Sequence, residues 1–233
     1  MSVTINGKTK SIPRQEDIEY GFCRLMYELS GKTLPWGMLT GIRPIKLYHN
    51  MDPEYIKSRY LVSDEMHNLS IEVAKREDEI NKLSSPNGYS LYISIPFCPH
   101  RCSYCSFVSH DVHHMAKLIP EYLQALKTDI KATLETADKL NLKLETIYIG
   151  GGTPSILDPY QIDSLLSTIE KSVEIGSDTE FTFEGGRPDT LTEEKLRAVR
   201  SHGVRRISIN PQSTSDAVLT RIGRKHTVKQ FFD

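Results

Sequence analysis

Three cysteines packed into eight residues are the side chains of this sequence best able to do chemistry. Cys98, Cys102 and Cys105 are spaced C-x3-C-x2-C within YISIPFCPHRCSYCSF, residues 92–107. Two neighbouring thiols can form a redox pair, whereas three at this spacing indicate a metal site. The 233 residues hold one other cysteine, Cys23, so a disulfide framework is not indicated. Cys23 falls in a predicted helix, where we expect a buried core thiol.

The three thiols fit two kinds of metal site. Structural zinc takes four ligands, usually as two spaced pairs, and the sequence has no second pair. A fourth zinc ligand would have to come from a histidine nearby: His100, His110, His113 or His114. A [4Fe–4S] cube normally takes four thiolates, so three leave one iron with an open position that can bind a small molecule. We therefore favour a cluster whose free iron binds a substrate or cofactor, with a zinc-stabilised binding module as the alternative.

The elements around the cysteines alternate between strand and helix. Apolar, β-rich runs predict strands at 90–97, 144–150, 180–185 and 205–211, and helical periodicity follows each of them, at 119–141, 158–173, 191–203 and 216–223. This order predicts a parallel sheet with right-handed crossovers, as in a β/α barrel or a doubly wound sheet.

Unusual residues follow the carboxyl end of every predicted strand. They are the cysteines, then GGGTP, EGGRP and NPQS. In parallel β/α folds, functional sites are formed at the carboxyl ends of the strands. Four successive strands that are each followed by such a motif favour the barrel over the doubly wound sheet. The loop HDVHH at 110–114 is predicted to be a solvated loop and not a metal site.

The first third of the chain has a different texture. Residues 1–85 are predicted to form a small, mainly helical domain, joined by the turn-forming segment SSPNG to a second domain at 86–233. One helix places five apolar residues on one face and ends at Gly31, and another begins after the N-cap Ser63. The five apolar residues are Ile18, Phe22, Leu25, Met26 and Leu29.

The length and charge of the chain limit what it can be. About 145 residues follow SSPNG, whereas a closed eight-stranded barrel needs about 200–250. We expect four βα units of a partial (β/α) TIM-like barrel, in an inactive fragment of a longer protein. A formal net charge of −1 argues against a nucleic-acid partner. With no secretory signal and no apolar run long enough for a membrane span, we expect a cytoplasmic protein.

Together these motifs resemble a known family. YISIPFCPHRCSYCSF is similar to the cysteine loop of radical S-adenosylmethionine (SAM) enzymes, and GGGTP at 150–154 follows at the next strand end. FEGGRPDTL, RRISINPQS and GRKHT extend the resemblance to the oxygen-independent coproporphyrinogen III oxidase group, over about residues 90–230. The segment LPWGMLTGIRPIKL resembles the extended Gram-positive subgroup, the coproporphyrinogen dehydrogenases.

The resemblance implies a role for individual residues. It implies that Cys98, Cys102 and Cys105 hold a [4Fe–4S] cluster whose fourth iron is chelated by the amino and carboxylate groups of SAM. It also implies a set of residues in contact with SAM or beside its pocket: Tyr92, Tyr104, Gly151, Gly152, Thr153, Glu184, Gln212 and Arg224.

The activity implied by the resemblance is a step of haem biosynthesis. A one-electron donor such as a flavodoxin or ferredoxin would reduce the cluster, and SAM would yield a 5′-deoxyadenosyl radical. The radical would start the oxidative decarboxylation of two coproporphyrinogen III propionates to vinyl groups, giving protoporphyrinogen IX. Ser94 replaces a family histidine, and INPQS replaces the commoner LGVQS. A haem chaperone of the same family and a radical SAM enzyme with another substrate therefore stay as alternatives.

Overall fold

The computed structural model describes residues 2–14, 16–39 and 43–233. The chain folds into two compact units, Met1–Ser84 and Ser85–Asp233. The LPWGMLTGIRPIKL segment lies partly outside the described residues, because 40–42 are not among them. In the described part of the chain, no helix combines the length and apolarity needed to cross a membrane.

The first unit begins with a β-hairpin that the sequence did not predict. Strands β1 (Ser2–Ile5) and β2 (Lys8–Ser11) pair antiparallel. Asn6 and Gly7 join them with φ values of 50° and 75°, the left-handed conformation that a two-residue type I′ hairpin turn requires. All four β2 residues are exposed, so this strand has no apolar alternation to reveal it. The prediction of a mainly helical domain therefore omitted two strands.

Four helices complete the first unit. They are α1 (Ile18–Ser30), α2 (Pro44–Asn50), α3 (Pro53–Tyr60) and α4 (Asp64–Asn81). Gly31 ends α1 in a left-handed conformation, and the Ser63 side chain accepts from the Met66 amide at the start of α4, as predicted. Helix α2 begins within the LPWGMLTGIRPIKL segment.

The apolar face predicted for α1 is only partly a core face. Leu25 is buried against Val3 and Ile12, whereas Ile18 is 62% exposed and Phe22 is also exposed. The i, i+4 spacing was correct, but the cluster around the hairpin packs against the second half of the helix, at Leu25, Met26 and Leu29. Cys23, expected to be buried, is half-buried.

The second unit is built on a four-stranded parallel sheet. Its strands are β3 (Gly88–Ile95), β6 (Lys143–Gly151), β7 (Glu180–Gly186) and β8 (Arg206–Ile209), in the spatial order β3-β6-β7-β8. Each strand is added next to the previous one on the same side of the growing sheet, as in a β/α barrel. In a doubly wound sheet, the direction in which strands are added reverses part-way through. The predicted partial β/α barrel is confirmed.

The remaining elements of the second unit connect these strands. Helices α6 (Ile119–Lys139), α7 (Pro159–Glu170), α8 (Glu193–Ser201) and α9 (Asp216–Arg221) follow the four strands, and α10 (Val228–Phe232) ends the chain. The predicted HDVHH loop instead forms strand β5 (His110–Asp111), paired with β4 (Phe97–Cys98), and the start of the short helix α5 (Val112–Met115).

The sheet presents two different faces, because successive side chains of a strand point to opposite sides. We call the side carrying Ile93, Ile149 and Phe183 the core face, since these residues are buried in one cluster with apolar residues of α6, α7 and α8. Burying each such side chain contributes roughly 1.5–3 kcal/mol. We call the other side, which carries Tyr92 and Tyr148, the open face, because both rings are exposed.

Candidate functional site

The carboxyl ends of the four parallel strands bring the sequence motifs to one edge, as predicted. Ile95 of β3 pairs with Gly151 at the end of β6. Ser155, just beyond GGGTP, hydrogen-bonds the carbonyl of Gly185 in EGGRP. The backbone amide of Asn210 in turn donates to the carbonyl of Gly186. The cysteine loop, both glycine-rich segments and NPQS therefore lie next to one another.

The cysteine loop is held at this edge by its backbone. Cys98 ends β4, and both it and Cys102 are buried, while Cys105 is half-buried. The amide of Cys105 donates to the carbonyl of Cys102, closing a turn, and the amide of Ser103 donates to the carbonyl of Ile222 after α9. The three thiols are free of disulfides.

The three thiols do not form a ligand set for a single metal ion. Among the residues that the structure describes, no three His, Cys, Asp or Glu side chains form a group that could hold one metal ion. His113 and His114 are exposed, and His100 hydrogen-bonds Arg187.

A buried arginine, Arg187, connects two of the cysteines. Its Nη2 donates to the Cys102 Sγ at 3.3 Å and to the His100 carbonyl at 2.8 Å. Its Nε donates to the Thr153 Oγ1 at 3.3 Å, and Thr153 lies 3.2 Å from the Cys98 Sγ. Its Nη1 lies 2.6 Å from the His100 Nε2. Burial and the neighbouring guanidinium lower the pKa of His100, which favours the neutral ring as acceptor.

The glycine-rich loop packs tightly against the cysteine loop. A Cβ on Gly152 would lie 2.8 Å from the Phe97 carbonyl oxygen and 3.0 Å from the Cys98 Sγ. Gly151 has a φ of 108°, and a Cβ there would lie 2.6 Å from the Ser94 Oγ. Thr153 is fully buried. These three predicted cofactor residues therefore already make close contacts within the protein, and their contact with a cofactor stays a prediction.

Aromatic and acidic side chains line the open face. The rings of Tyr92 and Tyr148 stack with centroids 5.8 Å apart and planes 10° from parallel. The Tyr148 hydroxyl donates to the Glu184 Oε2 at 3.3 Å, and the Asn210 amide donates to the Oε1 at 3.3 Å. Burial raises the pKa of the Glu184 carboxyl, although both hydrogen bonds oppose the shift.

A second buried arginine has unused hydrogen-bond donors. Arg224 is 9% exposed, and its Nη2 donates to the Tyr104 hydroxyl at 3.0 Å. Its Nε and Nη1 are buried and have no hydrogen-bond partner within the described chain. Buried donors are nearly always satisfied, and two free donors on one guanidinium match the geometry of a carboxylate.

Gln212 completes the predicted site residues. Gln212 follows β8 in a left-handed conformation, with a φ of 63°, and is exposed. Strained backbone of this type concentrates at functional sites. His226, two residues beyond Arg224, is buried with its Nε2 3.1 Å from the Pro211 carbonyl oxygen.

Sequence reasoning missed Arg187, Tyr148 and Asn210, and it named His100 only as a possible zinc ligand. Two of them carried a signal. Tyr148 lies two residues before Gly150 of GGGTP, so both are on the same face of the strand. Arg187 directly follows β7, the strand that carries Glu184. Nothing local in the sequence marks the contact between Arg187 and His100.

Comparison with known proteins places these features in a family. Residues 92–233 match the family model described as the Radical SAM superfamily. Over 229 residues, 91% of this chain and 45% of the relative, the chain is 37% identical to the oxygen-independent coproporphyrinogen-III oxidase-like protein HemZ of Bacillus subtilis. It is 39% identical over 144 residues to the heme chaperone HemW of the same organism, covering 61% of this chain and 37% of HemW.

A solved structure shares the fold of the second unit. Coproporphyrinogen III oxidase (HemN) from Escherichia coli, described as a radical SAM enzyme, superposes with a TM-score of 0.55 and 26% identity, over 61% of this chain and 32% of that chain. The chain spans less than half the length of these three proteins.

Proposed function

Because the chain belongs to the radical SAM superfamily, we propose that Cys98, Cys102 and Cys105 bind a [4Fe–4S] cluster and that SAM binds its fourth iron. When bound, the cluster supplies the electron that cleaves SAM to methionine and a 5′-deoxyadenosyl radical. The observation that carries the proposal is the placement of three free thiols and an unsatisfied buried arginine at one sheet edge.

The residues present fit such a cluster. Three free thiols match a cube with one iron left open. Cys98 and Cys102 are buried, which limits the access of water to the metal. Gly152 leaves the Cys98 sulfur without a neighbouring side chain on that side. Arg187 offers a hydrogen bond to a sulfur ligand.

The side chains of the edge also fit SAM. The two free donors of Arg224 match a carboxylate, and Tyr104 holds this guanidinium in place. Glu184 offers a carboxyl, oriented by Tyr148, to amino or hydroxyl groups. We propose that Tyr92, Gln212 and the backbone of 151–153 complete the pocket, which would orient SAM for cleavage and shield the radical from water.

For the substrate, we propose coproporphyrinogen III, with two propionates converted to vinyl groups. The support is the similarity to HemZ and HemN, and the exposed aromatic open face offers a surface for a flat tetrapyrrole. We further propose a flavodoxin or ferredoxin as electron donor, a cytoplasmic location, and separate domains at 1–85 and 86–233.

The second candidate function is haem delivery. The HemW chaperones of four bacteria besides B. subtilis also match this chain, with identities up to 39%, as high as that of HemZ. A chaperone would bind haem stably and leave the porphyrinogen unchanged.

Anaerobic reconstitution with iron and sulfide tests the proposal. We expect about four irons and four sulfides per chain, an EPR signal that changes on adding SAM, and 5′-deoxyadenosine as a product. Cys102→Ala should lose all three, whereas Cys23→Ala, the matched control outside the site, should keep them. A wild-type protein without a SAM-responsive cluster would contradict the cofactor proposal.

The substrate is then tested separately on a reconstituted protein of the full length of HemZ, because this chain spans 45% of HemZ. Coproporphyrinogen III should be converted to protoporphyrinogen IX when a reductant and SAM are present. Stable haem binding without conversion would favour the chaperone instead. SAM cleavage with neither result would indicate another substrate.

A further inference from the structure

Arg187 is a buried cation that has no carboxylate in direct contact among the described residues. It lies directly after β7 and is 4% exposed. Buried arginines are usually paired with a carboxylate. Within the described residues, no carboxylate oxygen lies within 4.0 Å of its guanidinium nitrogens. Its charge therefore needs another partner.

The acceptors around Arg187 identify that partner. The Thr153 hydroxyl and the His100 carbonyl carry no charge, and the His100 Nε2 faces a guanidinium that can only donate, so it acts as an unprotonated acceptor. The fourth is the Cys102 sulfur, which takes a negative charge when it ligates a metal. Arg187 also reaches Cys98 indirectly, because Thr153 lies between them. A negatively charged cluster on the cysteines would thus be the counter-charge of the Arg187 guanidinium.

Hydrogen bonds and positive charge next to the sulfur ligands tune iron–sulfur clusters. Reduction adds one negative charge to the cluster, and a nearby cation stabilises the more negative state more strongly. Burial strengthens this effect, because little water intervenes to screen the charges. The geometry of Arg187 satisfies both conditions, since the guanidinium is buried and in direct contact with a sulfur.

We propose that Arg187 is a positioning residue that raises the reduction potential of the cluster through its hydrogen bond to Cys102. This inference rests on the proposed cluster site. It concerns a one-electron step, in which the cluster gains an electron from the reductant and the guanidinium keeps its charge. Raising the potential would make the reduced state, from which SAM is cleaved, easier to reach for a weak donor.

A redox titration of the reconstituted protein, with dithionite as reductant and without SAM, tests the inference. Arg187→Gln removes the charge but keeps a hydrogen-bond donor. We expect it to lower the equilibrium constant for reduction at least tenfold, a fall of about 59 mV in midpoint potential. Arg101→Gln is the matched control, because Arg101 lies in the cysteine loop but is exposed, and its guanidinium donates to the Cys105 carbonyl and not to a sulfur among the described residues. It should change the constant less than threefold.

The outcomes separate this inference from the proposed function. Equal shifts in both variants, or a wild-type potential in Arg187→Gln, would overturn the role of Arg187. If that variant assembles no cluster, Arg187→Met, a neutral side chain of similar length, decides: a fall of tenfold or more in the equilibrium constant supports the inference, and an unchanged potential overturns it. Failure of both variants to assemble a cluster would also overturn it, because Arg187 would then serve assembly. Absence of a cluster in the wild-type protein would instead contradict the cofactor site itself.

Discussion

The two faces of the parallel sheet use alternate residues of the same strands for different purposes. On the core face, Ile147 and Ile149 are completely buried under helices. On the open face, Tyr148 between them stacks on Tyr92 and hydrogen-bonds Glu184. One face supplies the burial that stabilises the fold, and the other presents polar and aromatic groups. Stability and chemistry are therefore separated here by a single residue step along each strand.

The largest expected effect is on the core face. Ile149→Ala should lower the free energy of unfolding by about 2–5 kcal/mol, because it removes buried methyl groups and leaves a cavity among residues that cannot fully collapse. Urea unfolding followed by circular dichroism measures the change. A loss below about 1 kcal/mol would show that this face is not the main source of stability.

Substitution of Arg224, at the carboxyl edge of the sheet, should weaken ligand binding strongly and change stability little. Arg224→Gln should weaken SAM binding about 10–100-fold, because hydrogen bonds from a charged donor are worth roughly 1.5–3 kcal/mol. The free energy of unfolding should change by less than about 1 kcal/mol or increase, since two buried donors without partners are removed. Calorimetric titration of the reconstituted protein with SAM measures the affinity.

The control for this substitution is Arg221→Gln, which removes an exposed arginine from the end of α9. It should leave SAM affinity within about twofold of the wild type. Equal weakening in both variants would mean that general charge, and not the Arg224 pocket, attracts SAM.

A smaller effect is expected in the helix layer over the core face. Burial alone would lower the pKa of His202, but its hydrogen bonds to Glu170 and Asp163 outweigh burial, and the pKa is raised. The protonated ring then stabilises the fold fully below the unfolded pKa of about 6.5, and this stability is lost as pH rises through the folded value.

His202→Gln should therefore destabilise the protein by about 1 kcal/mol more at pH 5.5 than at pH 9. Urea unfolding at the two pH values measures the difference. A cost that is the same at both pH values would show that His202 contributes by packing alone.

The smallest expected effect returns to the open face. Tyr148→Phe keeps the stacked ring but removes the hydroxyl bonded to Glu184. It should change the free energy of unfolding by less than about 1 kcal/mol, because the group is partly exposed and the bond is long. It should also raise the pKa of Glu184 further, since one bond that favours the carboxylate is lost. A shift in the pH profile of SAM binding toward higher pH would report this.

The sequence predicted the elements of the second unit well because its signals are local. Apolar strand runs and helix starts such as Asp158, whose side chain accepts from the Gln161 amide, act within a few residues. The cysteine site was predictable for the same reason, as its spacing spans eight residues. Its specific chemistry came from resemblance and not from spacing.

Long-range contacts explain what sequence reasoning missed. Arg187 meets Cys102 across 85 residues, and neither residue signals the other locally. The β1–β2 hairpin was missed for a different reason. Its Asn6–Gly7 turn is a strong local signal, but the exposed polar β2 strand lacks the alternation that would have supported it.

The tether between the cysteine loop and the end of α9 has a kinetic consequence. Ser103 bonds Ile222, and Tyr104 bonds Arg224 across 120 residues. Bringing together residues so far apart in sequence lowers the entropy of the chain before the contacts between them can stabilise it, so such contacts form late in folding. We expect the cysteine loop to become ordered only after the fourth strand and its helix have assembled. Iron that arrives earlier during synthesis would meet thiols on a disordered segment, so maturation would follow folding.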